Sequence, residues 1–473
     1  MLFNSIEFFI FYLIVFCLYW LIKSKTVQNI LILVSSYYFY GSWDWRFLSL
    51  IFISSCIDYY TGRKIYLSKR KNAWLIVSLF SNLGILGFFK YFNFFTESFV
   101  RLVNQFGFSA SFSTLSIILP VGISFYTFQT LSYSIDIFKG KVIPNKSFIE
   151  FLAFVSFFPQ LVAGPIERAR DLLPQFSRER TFSYNIASKG VKLIMWGFFK
   201  KLVIADNAAG FVNFVFENSG ELGFVLHWLG IVAFAFQIYC DFSGYSDIAI
   251  GLAGLLGFSL SRNFNYPYFS ENISNFWKRW HISLSSWFRD YVYIPLGGNR
   301  NGRGKWIKNI LLTFCISGFW HGASWNFIVW GLLHGLYYLP WNLLRNKFLI
   351  KLPVFLSMIG TFIIVCIAWV FFRQTDLLKA LNFSYSLFQV SDLLDLMKGV
   401  GLEVLKYQLI KNKTFFVMLM LFVLIEYLSR NSETIFLFNS KLKPIRLLAF
   451  LFVFQVILLF GKFELVEFIY FQF

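Results

Sequence analysis

Long apolar runs separated by short polar or basic connections dominate this 473-residue chain. A transmembrane helix needs about 20 mostly apolar residues, and several of these runs approach or exceed that length. The pattern therefore predicts a series of membrane-spanning helices, of which the shortest could be re-entrant and the longest, 222–256, could hold two shorter pieces. The predicted spans lie near residues 6–22, 28–42, 46–60, 74–92, 115–137, 148–163, 187–205, 222–256, 307–320, 323–343, 353–372, 414–429 and 444–460.

Two local features refine this pattern. Positive charge, Lys23 and Lys25, follows the first apolar run, whereas it would precede the run in a cleavable signal peptide. We therefore expect a retained first span with its positive end in the cytoplasm. Pro159 and Gly164 interrupt the run near 148–163. Irregular backbone at membrane depth is tolerated only inside protein or along a cavity, which predicts a re-entrant element facing a central chamber.

Composition supports a membrane protein and excludes disordered, collagen-like and coiled-coil proteins. Apolar residues make up 57% of the chain and charged residues 14%, whereas a soluble domain has about 25% charged residues. The net charge is +19, but the basic residues lie between apolar runs, where they set topology and contact anionic lipid. We expect no nucleic-acid binding. With no second soluble region visible, residues 1–473 are expected to form a single integral-membrane domain.

Residues 263–308 differ from the lipid-facing runs because they are basic and rich in Trp, Tyr and Asn. This composition suits a segment at the cytoplasmic interface. Lys278, Arg279 and Arg289 are candidates for binding a phosphate-bearing substrate. A loop that only fixes topology, with an aromatic belt, has the same composition and is the simpler interpretation from composition alone.

His321 lies in the otherwise apolar stretch SGFWHGASWNF. A membrane histidine is more often a helix–helix hydrogen-bond partner than a catalyst. However, Gly318 and Gly322 on either side allow backbone or substrate to approach closely, and imidazole is the usual general base near neutral pH. Trp320 and Asn326 of the same stretch are candidate substrate-binding residues.

Other polar residues in apolar surroundings are Asp136, Asp241 and Asp247. They either pair with basic residues to hold helices together or line a water-filled path. Asp136 and Asp241 are therefore also candidate substrate-binding residues. The chain contains neither a nucleotide-binding loop nor a complete set of metal ligands around its four histidines, so neither a metal nor a bound cofactor is expected.

Five stretches carry a family resemblance: LPVGISFYTFQTLSYSIDIFKG (119–140), SFFPQLVAGPIERA (156–169), QIYCDFSGYSDIAIGLAGLLGF (237–258), NFNYPYFSENISNFWKRWHISLSSWFRDYVYIPLGGNR (263–300) and SGFWHGASWNFIVWGLLHGLYY (317–338). Through them the chain resembles the membrane-bound O-acyltransferase (MBOAT) family, in particular its bacterial alginate O-acetyltransferase branch. The resemblance extends over nearly the whole chain, and the 263–300 motif is the most specific part.

The resemblance implies an all-α polytopic membrane enzyme with about 11 transmembrane helices, plus re-entrant and interfacial helices, around a central tunnel. The family's invariant histidine corresponds to His321 and its second active-site position to His281. The implied acyl donor is acetyl-CoA. The implied partner is an extracytoplasmic SGNH-type O-acetyltransferase that acts on a polysaccharide, and the implied location is the bacterial cytoplasmic (inner) membrane.

The carboxyl-terminal tail, 461–473, contains Tyr470 in an F-x-Y-F-like ending. The resemblance suggests Tyr470 as a first acyl acceptor, because a phenol activated by a base can accept an acyl group and release it again. An aromatic anchor at the membrane interface is the alternative. The final polymer could be alginate, peptidoglycan or another polysaccharide, and a D-alanine donor fits the motifs less well. A proton-coupled transporter or flippase is the alternative from a different functional class.

Overall fold

The computed structural model describes residues 1–108, 115–162, 164–344, 352–390, 400–432, 435–438, 440, 442–464, 466, 468 and 469. These residues form helices, turns and irregular segments, and no β-strand occurs among them. The prediction of an all-helical chain is therefore confirmed.

Within residues 1–108, 115–162 and 164–217, the chain forms eleven α-helices. They are α1 Ile6–Leu21, α2 Lys25–Asp44, α3 Leu48–Leu67, α4 Lys71–Leu86, α5 Phe92–Gln105, α6 Ile123–Phe138, α7 Phe148–Ser156, α8 Phe158–Leu161, α9 Ala169–Ser177, α10 Tyr184–Phe198 and α11 Asp206–Glu217. Two π-helical turns, Gly87–Tyr91 and Phe199–Ala205, connect α4 to α5 and α10 to α11.

The described part of the second half contains ten further α-helices. They are α12 Phe224–Leu255, α13 Ile273–Trp277, α14 Ile282–Phe288, α15 Arg303–His321, α16 Trp325–Leu344, α17 Val354–Arg373, α18 Leu377–Ser386, α19 Val400–Lys411, α20 Lys413–Ser429 and α21 Lys443–Phe460. The stretch near 222–256 is thus one continuous helix of 32 residues rather than two shorter ones.

The chain divides into two compact units. The first comprises Met1–Val191 and Ala249–Ser261, and the second comprises Lys192–Ile248 and Arg262–Phe473.

In the first unit, polar side chains join α3, α4 and α6 around the fully buried Asp58. The Asn82 amide donates to both Asp58 oxygens at 2.9 and 2.8 Å, and the Ser78 hydroxyl donates to one of them at 2.7 Å. Buried polar groups are stable only when they are hydrogen-bonded. Asp58, Asn82 and Ser78 therefore stabilise one another within these apolar helices.

The first unit also contains the predicted break in the run near 148–163. The chain leaves helix at Phe157, resumes for the single turn α8, and is irregular from Gly164 to Arg168. A Cβ at Gly164 would lie 2.5 Å from Gln160 Cα, so the chain folds back tightly here. The side chains of this break are largely buried, as expected for irregular backbone enclosed by protein.

In the second unit, α15 and α16 form an antiparallel pair, and the two helices approach each other most closely at glycines. A Cβ on Gly318 would lie 2.1 Å from the Phe327 carbonyl oxygen, and one on Gly331 would lie 2.2 Å from the Phe314 carbonyl oxygen. Since no side chain fits between them, the two backbones lie in direct contact, in the manner of small-residue helix interfaces in membranes.

Four helical segments of the described chain are long and apolar enough to cross a membrane: Lys71–Gln105, Phe224–Leu255, Val354–Arg373 and Lys443–Phe460. A fifth possibility is the pair Gly401–Lys411 and Lys413–Ser429, which meet at a 70° bend. The last helix, α21, exposes a row of large apolar side chains that suits contact with lipid. The predicted count of about 11 spans is not confirmed by these criteria.

Candidate active site

His321 is the last residue of α15, where the chain turns into α16 through Gly322. Its side chain is buried, at 4% exposure, in an aromatic pocket. The ring centroids of Trp320, Trp330 and Phe372 lie 5.0, 5.1 and 5.4 Å from that of His321. The apolar rings exclude water, which strengthens any electrostatic interaction made by the imidazole.

His281 immediately precedes α14 and has a left-handed backbone, with φ 41° and ψ 55°. A residue other than glycine adopts this conformation only where surrounding contacts enforce it, and such strain is frequent at active sites. Its side chain is fully buried. The backbone conformation thus directs the imidazole into the interior of the second unit.

The hydrogen bonds of His281 define its tautomer. Its Nδ1 lies 3.0 Å from Asn263 Oδ1, which also accepts from the Ser283 hydroxyl at 2.9 Å. Because the Asn263 amide nitrogen donates to Ser246 at 3.2 Å, Oδ1 is the acceptor and His281 Nδ1 carries the proton. Burial lowers the pKa of His281 to about 3. The neutral ring therefore presents an unprotonated Nε2, which has no hydrogen-bond partner among the described residues.

The structure places the two predicted histidines side by side. The ring centroids of His281 and His321 are 6.4 Å apart, and Trp320 lies 6.2 Å from His281. A small acyl group and its acceptor can both be contacted by imidazoles at this separation. The arrangement suits proton transfer by one ring and orientation of a substrate by the other.

A cavity of about 380 Å³ lies along one face of α15, and the last residue of this helix that lines it is Ser317. Its wall includes Ile310, Thr313, Phe314 and Ser317, which recur at helical spacing and share the face of His321. Ser317 precedes His321 by four residues, or about 6 Å along the helix axis.

The opposite wall of this cavity comes from the segment around α13 and α14. Lys278 and Arg289, two of the predicted phosphate-binding residues, line it, together with Trp277. Both basic side chains are largely exposed, and Arg289 also pairs with Asp290 at 2.7 Å. A basic rim with an aromatic and hydroxyl-lined interior can hold an anionic head group while an apolar arm extends inward.

Three other predicted substrate-binding residues are not among those that line this cavity. The Arg279 guanidinium faces the Phe269 carbonyl oxygen at 3.5 Å. The Asn326 amide donates to the Gln374 carbonyl oxygen at 2.6 Å and so ties the start of α16 to the end of α17. Asp136 is buried in α6 and belongs to the first unit.

The aspartates of α12 pair with the π-helical turn Phe199–Ala205. Lys201 Nζ lies 2.8 Å from an Asp241 oxygen, and Lys200 Nζ lies 2.7 Å from Asp247. Of the two alternatives that the sequence left open, pairing with basic residues is therefore the one observed. Asp241 also accepts a hydrogen bond from the backbone of Ile469, while Tyr470 lies outside the described residues.

Sequence reasoning missed Asn263 and Phe242 as contributors to this site. Asn263 orients His281 from 18 residues upstream, and the Phe242 ring stands perpendicular to the His281 ring at 4.6 Å. Asn263 belongs to the specific 263–300 motif, which was the available signal. No pattern in the sequence pointed to Phe242, since it is one apolar residue in a long apolar helix.

A second cavity, of about 1090 Å³, lies at the carboxyl-terminal end of α17, which ends at Arg373. It is lined mainly by polar residues, including Glu221, Arg373, Lys379 and Asn382. Arg373, which lines this cavity, directly follows Phe372, whose ring contacts His321. Among the described residues, no group of three or more His, Cys, Asp or Glu side chains could hold a metal ion.

Comparison with known proteins independently supports the family resemblance seen in the sequence motifs. The model of the MBOAT, membrane-bound O-acyltransferase family matches residues 43–377. The probable alginate O-acetylase AlgI of Pseudomonas aeruginosa is 39% identical over 406 residues, covering 83% of this chain and 77% of that protein. AlgI of Azotobacter vinelandii is also 39% identical, with 83% and 80% covered. The peptidoglycan O-acetyltransferase of Helicobacter pylori is 38% identical over 392 residues, covering 76% and 73%.

Proposed function

The chain belongs to the membrane-bound O-acyltransferase family, and on this premise we propose that it moves an acetyl group from cytoplasmic acetyl-CoA across the bacterial inner membrane to O-acetylate an extracytoplasmic polysaccharide. The observation that carries this proposal is the buried pair of His281 and His321, of which His321 lies one turn of α15 beyond the lining of a cavity with a basic rim. Acyl transfer from a thioester to a hydroxyl needs such a dry site with one base and one orienting group.

Acetyl-CoA fits the cavity along α15 by its chemistry. Lys278 and Arg289 would contact its phosphates at the exposed rim, where Arg and Lys are the usual phosphate ligands. Its flexible thioester arm would extend past Thr313 and Ser317 toward His321. The acetyl group would then meet the base one helical turn beyond Ser317.

The two histidines take different roles in this proposal. His321 removes the proton from the acceptor hydroxyl, the hydroxyl oxygen attacks the thioester carbonyl carbon, and the carbon–sulfur bond breaks. The proton then passes from His321 to the departing thiolate. The unprotonated Nε2 of His281 can only accept a hydrogen bond, which disfavours stabilising an oxyanion. Because the acceptor hydroxyl gives its one proton to His321, His281 would orient the substrates through another of their hydrogen-bond donors.

Tyr470 is the proposed first acceptor. Its neighbour Ile469 is bound at Asp241, and Phe468 contacts Phe242, which in turn contacts His281. An acetylated phenol would remain an activated donor, because phenolate is a good leaving group relative to a sugar alkoxide. An extracytoplasmic SGNH-type partner would complete the transfer to the polymer.

The acceptor polymer is proposed from the relatives and from the second cavity. The most similar proteins named above act on alginate or on peptidoglycan by their names. We favour an alginate-type exopolysaccharide, with peptidoglycan as the alternative. The polar cavity beside Arg373 would admit the partner on the extracytoplasmic side. No observation favours the transporter alternative, since Asp241 and Asp247 are both paired with lysines.

The direct test is release of free CoA thiol from acetyl-CoA by the purified protein with a phenol acceptor. We expect His321→Ala to lower this rate by roughly 10²- to 10⁴-fold, the usual range for a general base. His227→Gln is the matched control. His227 is another buried histidine of the second unit, but its ring nitrogens face only the Gly223 and Ser219 carbonyl oxygens. Equal rates in wild type and His321→Ala would contradict the proposal.

A further inference from the structure

The carboxyl-terminal tail is bound along the π-helical turn Phe199–Ala205 and α12. The Lys462 amide donates to the Leu202 carbonyl oxygen at 3.0 Å, and Lys201 Nζ lies 3.4 Å from the Val466 carbonyl oxygen. At the end of the described chain, the Ile469 amide donates to Asp241 Oδ2 at 2.7 Å. The tail contributes only backbone atoms to these contacts. They therefore fix the path of the tail without requiring particular tail side chains.

The charges around Asp241 explain why this carboxylate binds the tail. Lys201 Nζ lies 2.8 Å from Asp241 and 2.9 Å from Asp206, and all three side chains are nearly fully buried. One ammonium group thus faces two carboxylates. A buried carboxylate needs further hydrogen-bond donors, and the Ile469 N–H supplies one in a short, charge-assisted bond.

Aromatic packing fixes the same stretch of the tail. The Phe468 side chain is fully buried, with its ring 4.7 Å from Tyr245 and 5.6 Å from Phe242. Phe242 stands perpendicular to His281 at 4.6 Å. A single ring therefore separates the tail from one of the two active-site histidines.

We propose that Asp241 and Phe468 form a clamp that docks the tail and so positions Tyr470 for acetylation. This inference rests on the proposed role of Tyr470. The clamp holds the tail at Ile469, the residue that precedes Tyr470 in the sequence. Confinement of the acceptor replaces a search through solution and raises its effective concentration at the site. Asp241 and Phe468 are positioning residues, because neither touches the reacting atoms.

The first test measures docking without any acetylation. In a Tyr470→Cys background, maleimide labelling of the carboxyl-terminal peptide is followed by mass spectrometry, which separates it from the five native cysteines. We expect Asp241→Ala to speed this labelling at least tenfold. Asp247→Ala is the matched control, since Asp247 also lies on α12 and pairs with a lysine but has no described bond to the tail. An unchanged labelling rate in Asp241→Ala would overturn the clamp.

The second test separates positioning from structural damage. With Tyr470 intact, Asp241→Ala and Phe468→Ala should lower Tyr470 acetylation at least tenfold, while CoA release with N-acetyltyrosine amide as a free acceptor stays within twofold. Phe468→Tyr should restore tail acetylation. Equal loss in both assays would indicate a structural role and overturn the inference. Absence of Tyr470 acetylation in the wild type would instead overturn the proposed relay, while the labelling test still decides whether the clamp exists.

Discussion

The two active-site histidines differ in environment more than in position. His281 has a left-handed backbone, donates from Nδ1 to Asn263 and lies edge-on to Phe242. His321 ends a long helix among tryptophan and phenylalanine rings. One ring is thus held in a single tautomer by polar contacts, and the other is surrounded mainly by apolar rings. This asymmetry supports assigning orientation to His281 and proton transfer to His321.

The protonation of His281 leads to a prediction about pH. Because burial lowers its pKa to about 3, the ring stays neutral between about pH 5 and 8, where an ordinary histidine titrates. We expect His281→Asn to reduce CoA release roughly tenfold or more without moving the midpoint of the acidic limb. The measurement is the pH profile of kcat for both proteins.

The contrary outcome of that experiment is equally specific. A midpoint that moves by about one pH unit in His281→Asn would mean that His281 itself titrates in the working range. Its Nε2 would then be protonated during part of the profile, and the orienting role would have to be exchanged for oxyanion stabilisation.

At the level of elements, the contact between α15 and α16 determines where His321 lies. Glycines at 318 and 331 allow the two backbones to touch, and the ring of Phe327 occupies the space that a Cβ on Gly322 would need. The loop between the helices is only three residues long, from Gly322 to Ser324. The position of the imidazole therefore depends on helix packing rather than on a long flexible connection.

This packing predicts opposite effects for two alanine substitutions. In Gly331→Ala the new Cβ would lie 2.2 Å from the Phe314 carbonyl oxygen, so the helices must separate. We expect a loss of about 3 kcal/mol in the free energy of unfolding, the upper part of the usual overpacking range. Gly360→Ala in α17 meets no atom within 4 Å and should be neutral or stabilising by up to about 1 kcal/mol.

Thermal unfolding in detergent, together with CoA release, measures both variants. Gly331→Ala should also lose activity, because a shift of α15 moves His321 relative to His281. Equal stability of the two variants would show that the close approach of α15 and α16 is not needed for the fold.

The sequence anticipated some elements better than others, for physical reasons. Apolar periodicity identified α12, α17 and α21, whose ends lie within a few residues of the predicted spans. Hydropathy could not anticipate how α3 satisfies Asp58, since its partners Asn82 and Ser78 lie on another helix. Long-range hydrogen bonds decide which polar residues an apolar helix can bury, and a local window does not contain them.

The same limit applies to the candidate site. His281 and His321 could be predicted because they lie in recognisable motifs. The roles of Asn263 and Phe242 could not, because they arise only when α12, α14 and α15 pack together. Arg279 was grouped with Lys278 because both side chains are basic, but adjacent residues at the end of a short helix point in different directions.

At the scale of the whole molecule, the second unit contains three features that the proposed function uses. They are the cavity along α15 with Lys278 and Arg289 in its wall, the histidine pair one helical turn beyond Ser317, and the polar cavity lined by Arg373, the residue after Phe372. A donor on one side and an acceptor on the other could thus share the same two histidines. In the proposed function, a soluble thioester would in this way supply an acyl group to the opposite face of the membrane.

The most direct test of this account is mass spectrometry of the carboxyl-terminal peptide after the purified protein is incubated with acetyl-CoA. Wild type, His321→Ala and Tyr470→Phe are compared. The account predicts an acetyl group on Tyr470 in the wild type and none in either variant. A wild-type peptide without the adduct, from protein that still consumes acetyl-CoA in a His321-dependent manner, would contradict the relay through Tyr470. An acetylated Tyr470 in His321→Ala would contradict the assignment of His321 as the base.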